Sequence, residues 1–300
     1  MPDPEHGFYQ GTRFDWSGLI SSLRYRGHEY CAVWYTKRDP SVRDFVFEGH
    51  EIAVGPQSAV TGPCEEFVAP QGYAAAKVGG TFVKIGVGVL RKVADAHYSC
   101  YDRYGIVDAG GWSTRATAEA VEFVHDLADS ESGIGYRYRK TIRLRNDRPE
   151  LVIEHTLRNT GRVPIATMQY NHNFLALDQT PTGPHVITTA AFPLEISNAS
   201  DPQRLAVVGN QFAYGEPLRD DDVVSFLVDG FSENASCYDF RIESTRSGAG
   251  VRITGDRALA RCAVWSIRTV LSVEPFIDIA VNPSESTTWT YVYSFYEASN

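Results

Sequence analysis

The sequence has few of the features that mark disulfide-rich or membrane-spanning proteins. Among 300 residues there are only five cysteines, Cys31, Cys64, Cys100, Cys237 and Cys262. They are odd in number, far apart and never arranged as Cys-x-x-Cys, so neither a disulfide framework nor a zinc knuckle is indicated. No run of about 18 apolar residues is present, and the N-terminus lacks the basic and apolar regions of a secretory signal. We therefore expect a cytoplasmic protein with reduced thiols and no membrane partner.

The sequence also has fewer basic than acidic residues, with 28 Lys and Arg against 37 Asp and Glu. The formal net charge is −9, which disfavours electrostatic binding to nucleic acid or to anionic membranes. No cluster of His, Asp and Glu has firm metal-ligand spacing, and no Gly-x-Ser-x-Gly nucleophile motif occurs. We expect no metal and no cofactor, whereas a small neutral or cationic partner remains open.

Short stretches of alternating residues, rich in Val, Ile, Thr, Tyr, Phe and Trp, dominate the chain and are broken by Gly, Pro, Asn and Asp. This pattern is typical of β-strands. Residues 136–145 and 151–158 predict an antiparallel hairpin, residues 165–174 a third strand, and residues 262–281 and 288–296 two late strands. Only residues 40–47 and 114–128 carry a weak helical pattern. The chain is predicted to be all-β, as one domain over residues 1–300.

The stretch MQYNHNFLALD, residues 168–178, places three consecutive polar residues in the third predicted strand. Because side chains alternate along a strand, Tyr170 and His172 should share one face, and Asn171 and Asn173 the other. Buried polar groups need partners, so these side chains must be hydrogen-bonded or face a cleft. A histidine with a pKa near neutrality can donate and accept a proton within one reaction cycle. The alternative for His172 is a hydrogen-bonded core histidine.

The run Asn171-His172-Asn173-Phe174-Leu175-Ala176-Leu177 resembles the strand motif Asn-His-Ser/Thr-Tyr-Phe-Asn-Leu of the aldose 1-epimerases, or galactose mutarotases. Asn171, His172 and Leu177 match outright. That family carries its catalytic glutamate on a late strand, followed by a turn and a closing strand. Here Glu274 has this place, and Asp278 shares its predicted face. The order of elements agrees with the family.

The resemblance extends loosely to GLISSLRYRGHEY, which is similar to the opening strands of such proteins. The family's upstream histidine has no clear counterpart; His97, followed by Tyr98, is the nearest candidate by order. Lys84 lies in a glycine-flanked strand and is expected on a solvated face, with contact to an acidic sugar as the alternative. Besides His172 and Glu274 as catalytic residues, the candidates for substrate binding are Arg13, Glu65, Lys84, His97, Tyr98, Tyr170, Asn171, Asn173 and Asp278.

The resemblance implies a large antiparallel β-sandwich of the galactose mutarotase-like (supersandwich) type. It further implies an enzyme that interconverts the α and β anomers of a monosaccharide, with Glu274 as base and His172 as acid on opposite edges of the sugar. Two alternatives remain: a non-catalytic carbohydrate-binding protein, or a lyase or isomerase of an oxidised sugar whose carboxylate Lys84 or Arg91 would bind. The sequence leaves the oligomeric state open between a monomer and a homodimer.

Overall fold

The computed structural model describes residues 6–298 of the chain, which are folded almost entirely as β-strands joined by turns and loops. The strands of the first half are β1 (Leu23–Tyr25), β2 (His28–Cys31), β3 (Lys37–Arg38), β4 (Phe45–Glu48), β5 (Glu51–Val54), β6 (Cys64–Phe67), β7 (Thr81–Lys84), β8 (Gly88–Arg91), β9 (Ile106–Asp108), β10 (Gly111–Ala116), β11 (Ala120–Asp129) and β12 (Ile134–Leu144). Those of the second half are β13 (Glu150–Asn159), β14 (Ile165–His172), β15 (Val186–Ala190), β16 (Glu195–Ser197), β17 (Leu205–Val208), β18 (Gln211–Tyr214), β19 (Val223–Asp229), β20 (Asp239–Ser244), β21 (Ala249–Gly255), β22 (Arg261–Ile267), β23 (Val270–Val281) and β24 (Ser286–Glu297). Three single turns of 3₁₀-helix lie at Leu177–Gln179, Pro202–Arg204 and Ala235–Cys237.

Two large antiparallel sheets form the framework. One has ten strands in the order β10-β11-β12-β13-β24-β21-β20-β15-β18-β17, and the other has six in the order β16-β19-β22-β23-β14-β6. Smaller sheets consist of β1-β2, β3-β5-β4 and β7-β8-β9. Within residues 6–298, β3 and β5 make the single parallel pair of named strands. The prediction of an all-β, largely antiparallel protein is confirmed.

The hairpin of β12 and β13 shows how the sequence pattern produces this framework. Tyr136 and Tyr138 are buried, whereas Arg137 and Arg139, which alternate with them, are exposed. Tyr138 pairs with Leu157 across the hairpin. Alternation of this kind gives a strand one apolar and one wet face, so the sheet must cover its apolar face. The predicted hairpin is confirmed, with each strand slightly longer than its sequence pattern.

The six-stranded sheet is covered on both faces. Its inner face packs against the ten-stranded sheet in a large apolar core. Its outer face packs against the first third of the chain in a second core, which includes Phe14, Trp34, Phe82 and Phe174. A sheet covered on both faces can hold polar side chains out of water on either side.

Three local predictions are corrected by the structure. Residues 40–47 and 114–128 are not helical, because they contribute to β4, β10 and β11, where pairing with neighbouring strands overrides a weak helical pattern. Residues 262–281 form two strands, β22 and β23, joined by a tight turn at Arg268 and Thr269.

In residues 6–298 no helix has the length and apolar character needed to cross a membrane.

Candidate functional site

His172 and Glu274 come together through the register of two neighbouring strands. In β14 and β23, Tyr170 pairs with Phe276, and a further bridge joins Leu175 to Leu271. The same register places His172 directly opposite Glu274. Directly opposed side chains in an antiparallel pair lie within contact distance. His172 Nε2 is 3.2 Å from Glu274 Oε1.

His172 is enclosed by aromatic rings. Its imidazole stacks on Phe174 with 3.7 Å between ring centroids, and Phe174 in turn stacks on Trp34. The edge of Trp265 closes a further side. Nδ1 of His172 is buried and has no hydrogen-bond partner within residues 6–298. A charged imidazolium is costly to bury among aromatic rings, so the surroundings favour a neutral ring.

The pKa values of His172 and Glu274 shift in opposite directions, which reverses their usual order. Burial, with a smaller contribution from the nearby Arg13 charge, holds the pKa of His172 well below its usual value. Burial also raises the pKa of Glu274 from 4.5 to about 7, although Arg13 opposes this shift. Near neutral pH the proton of the pair therefore resides on the carboxyl group. Buried groups with displaced pKa values are a feature of acid–base sites.

Arg13 is fixed beside the pair by contacts on several sides. Its Nε donates to Glu66 Oε2 at 2.8 Å, and a terminal nitrogen donates to the Tyr170 hydroxyl at 3.0 Å. The guanidinium also lies over the rings of Phe14 and Tyr101. Such a planar group, held from both ends, presents its remaining N–H donors in a defined direction.

These side chains line one open cleft with a volume of about 130 Å³. One wall belongs to the six-stranded sheet, and the other is built from loops and from β4 in the first third of the chain. The cleft is lined by Arg13, Trp34, Asp44, Phe45, Ser58, Tyr101, His172, Phe174, Trp265 and Glu274. Aromatic walls with a few converging polar groups are typical of small-molecule sites.

Asn171 and Asn173 are placed on the opposite face of β14, as alternation predicts, and they do not line the cleft. Asn171 Nδ2 donates to the Tyr293 hydroxyl at 2.8 Å, and that hydroxyl donates to Asn173 Oδ1 at 2.7 Å. Asn173 also donates to the carbonyl of Val273. Both asparagines are fully buried between the two large sheets. Their polar groups are satisfied inside the sandwich, so their structural role differs from the expected contact with substrate.

Glu65 lies in a separate buried cluster beneath the cleft. Lys140 Nζ is 3.0 Å from Glu65 Oε2 and 3.5 Å from Asp15 Oδ2, and His155 Nε2 is 3.0 Å from Glu65 Oε1. Burial alone would raise the pKa of Glu65, but Lys140 and His155 lower it to about 2. Burial raises the pKa of Asp15 to about 6. This cluster ties the segment that carries Arg13 to the framework.

Lys84 is fully buried, which corrects the expectation of a solvated strand face. Its Nζ lies 3.2 Å from Glu66 Oε1 and over the ring of Tyr98. The negative charge of Glu66 makes burial of this ammonium group tolerable. Lys84 therefore supports Arg13 indirectly and does not line the cleft. Arg91 is exposed and donates to the carbonyl of Gly79, also away from the cleft.

Of the other predicted residues, some pack behind the cleft and others are exposed on the protein surface. Tyr170 bonds to Arg13 and stacks on Phe276, so it lies behind the cleft. Tyr98 packs among the rings of the second core. His97 and Asp278 are exposed and do not line the cleft. Within residues 6–298 no three His, Cys, Asp or Glu side chains are grouped so that they could hold a metal ion.

Several lining residues were not identified from the sequence. They are Trp34, Asp44, Phe45, Ser58, Tyr101 and Trp265. Five of the six lie within residues 34–101, where strands are short and alternation is weak. Trp265 sits in β22, two positions from Ala263, which pairs with Glu274, and the sequence alone does not give this register.

Comparison with known proteins shows the fold. No family model and no curated protein sequence matches the chain. The solved structure of the Slr1438 protein from Synechocystis sp. PCC 6803 is similar over 93% of this chain and 88% of that chain, with 12% identity and a TM-score of 0.51. Similar structures also include the GalM/aldose epimerase homologue from C. elegans (14% identity, 75% of this chain and 80% of that one, TM-score 0.45) and a galactose mutarotase-like protein from Lactobacillus casei (12%, 71% and 79%, 0.46). The chain thus shares its fold with Slr1438, and galactose mutarotase-like proteins are among its structural neighbours.

Proposed function

We propose that the protein is a carbohydrate isomerase of the aldose 1-epimerase type, which interconverts the α and β anomers of a monosaccharide. The observation that carries the proposal is the buried His172–Glu274 pair at 3.2 Å in a cleft with aromatic walls. Opening a hemiacetal ring requires a base at the C1 hydroxyl and an acid at the ring oxygen. Both oxygens are bonded to C1, so an acid and a base that lie side by side can reach them at the same time. This arrangement differs from the expected one, in which His172 and Glu274 lie on opposite edges of the sugar.

In the proposed reaction, one proton moves from the C1 hydroxyl to the base while another moves from the acid to the ring oxygen. The bond between C1 and the ring oxygen breaks, and C1 becomes an aldehyde carbon. Rotation about the C1–C2 bond presents the other face of the carbonyl. The two proton transfers then run in reverse, so the ring closes as the other anomer and the pair regains its starting state.

The surroundings of the pair suggest an exchange of the roles expected from the sequence. With a neutral His172 and a protonated Glu274, the carboxyl group is the acid at the ring oxygen and Nε2 is the base at the C1 hydroxyl. Burial supports this assignment, because the apolar surroundings disfavour both an imidazolium and an ionised carboxylate. Both assignments place one proton on the pair, so activity should fall as the pH rises through about 7 in either case. The ¹⁵N chemical shifts of the His172 ring separate them, since a neutral and a charged ring differ.

The remaining lining residues fit a single sugar ring. Trp265, Phe45 and Tyr101 offer flat surfaces to the C–H faces of a pyranose. Arg13 supplies hydrogen-bond donors. A cleft of about 130 Å³ favours one ring over an oligosaccharide.

The test is NMR exchange spectroscopy between the α and β anomeric signals of a panel of aldoses, uronic acids and sugar phosphates. The wild type should accelerate exchange for at least one sugar, and His172→Asn and Glu274→Gln should each reduce this by roughly 100-fold or more, the effect typical of a general acid or base. The exposed His97 gives a matched control, because His97→Asn should exchange like the wild type. Exchange that survives in both cleft variants would refute the assignment.

The second candidate is a carbohydrate-binding protein without catalysis. It is favoured by the direct contact of His172 with Glu274, which leaves each group already paired in the absence of sugar. This candidate predicts saturable binding in calorimetry with no exchange above the uncatalysed rate.

A further inference from the structure

Asp44 is an acidic residue of the cleft that the reaction proposed above does not use. It directly precedes β4, on the wall opposite His172 and Glu274. Its backbone carbonyl accepts a hydrogen bond of 2.7 Å from the N–H of Gly55, and its side-chain Oδ1 accepts the Ser58 hydroxyl. Gly55 thus fixes the backbone of Asp44, and Ser58 fixes the orientation of its side chain.

The second carboxylate oxygen of Asp44 lacks a partner of its own. No hydrogen bond or ion pair joins Oδ2 to another residue of 6–298. The cation that lines the same cleft, Arg13, is engaged by Glu66 and Tyr170. Asp44 is partly exposed and lines the cleft, so a hydroxyl donor of a ligand bound there can reach this oxygen.

The geometry points to Asp44 as a specificity-determining residue that accepts a hydrogen bond from a sugar hydroxyl remote from C1, with Ser58 as its positioning residue. This inference rests on the proposed function, because the reacting carbon is assigned to the opposite wall. A sugar ring that places C1 against His172 and Glu274 must turn its far hydroxyls toward the first third of the chain. Sites built to bind a substrate hydroxyl reject analogues that lack it far more strongly than apolar pockets reject extra bulk.

The test measures anomer exchange and binding for the preferred aldose and its monodeoxy analogues. Asp44→Asn should raise KM by about 10-fold to 100-fold with a smaller change in kcat, since a hydrogen bond to a charged group is lost. Ser58→Ala should raise KM less, because the carboxylate remains but is no longer fixed. Asp39→Asn is the matched control on the same segment, since the Asp39 side chain accepts hydrogen bonds from Ser41 and does not line the cleft. Thermal melts check that each variant is folded.

The decisive comparison is between parent and deoxy sugars. Wild type should discriminate against one particular monodeoxy analogue at least tenfold, and Asp44→Asn should bind that analogue and the parent nearly alike. Equal discrimination in both proteins would overturn the inference. If the wild type binds an aldose in calorimetry without exchange, the proposed function fails, while Asp44 is still judged by the ratio of Kd values. If the wild type binds no aldose at all, both are overturned.

Discussion

Replacing Glu274 by Gln removes a carboxyl group whose ionisation the fold opposes. The pKa of this buried group rises from 4.5 to about 7 on folding. A group with a raised pKa adds stability in its protonated form below its unfolded pKa, and that stability is lost as the pH rises through the folded pKa. At about 1.4 kcal/mol per pKa unit, ionised Glu274 costs the native state about 3 kcal/mol above pH 7.

Gln has the shape of the protonated acid but never ionises. Glu274→Gln should therefore exceed the wild type by less than about 1 kcal/mol at pH 5 and by about 3 kcal/mol at pH 8. For a chain of this size, that difference corresponds to a rise in Tm of roughly 5–10 °C. Thermal melts followed by circular dichroism at the two pH values measure it directly.

The control is Asp278→Asn, which changes an exposed carboxylate on the same strand. Its effect on Tm should be small at both pH values. If Glu274→Gln changes Tm equally at pH 5 and pH 8, or lowers it at pH 8, the carboxyl group does not carry the free-energy cost assigned to it. The expected combination of lost exchange and gained stability is the usual trade-off of a catalytic carboxyl group.

Two further predictions concern the buried polar groups beneath the cleft. Lys140→Met leaves two buried carboxylates without their cation, so we expect the free energy of unfolding to fall by about 3–5 kcal/mol in urea titrations; an unchanged midpoint would contradict the contact at 3.0 Å. Tyr293→Phe removes the hydroxyl that joins Asn171 to Asn173 and should cost roughly 2–5 kcal/mol of stability, measured in the same way. If either asparagine contacted substrate, KM would also change in the Tyr293 variant, whereas we expect KM to stay the same.

The framework could be predicted from the sequence because its strands are long and their apolar and polar residues alternate regularly. The β12–β13 hairpin and β14 were placed within a few residues, since each has one apolar and one polar face. His172 and Glu274 were selected by a family resemblance and by their place in strands. Their contact was not predicted, because a sequence gives the order of strands but not the register in which distant strands pair.

The predictions for several polar residues were wrong because these residues are buried with partners that lie far away in the sequence. Lys84 looks like a surface lysine in the sequence, yet Glu66 makes its complete burial possible. Asn171 and Asn173 look like substrate ligands, yet a tyrosine 120 or more positions later satisfies them. Asp44 carries no local signal at all, because only the loops that fold over the second core bring it to the cleft.

The residues that line the cleft extend from Arg13 to Glu274, so no contiguous fragment shorter than residues 13–274 contains the whole site. Contacts between such distant positions form slowly and late, since closing long loops is entropically costly. A ligand of the cleft can therefore bind only the chain that has completed its sheet pairing, and by mass action it stabilises that state alone. Such a ligand would act as a folding probe, reporting at once whether the first and last thirds of the molecule have met.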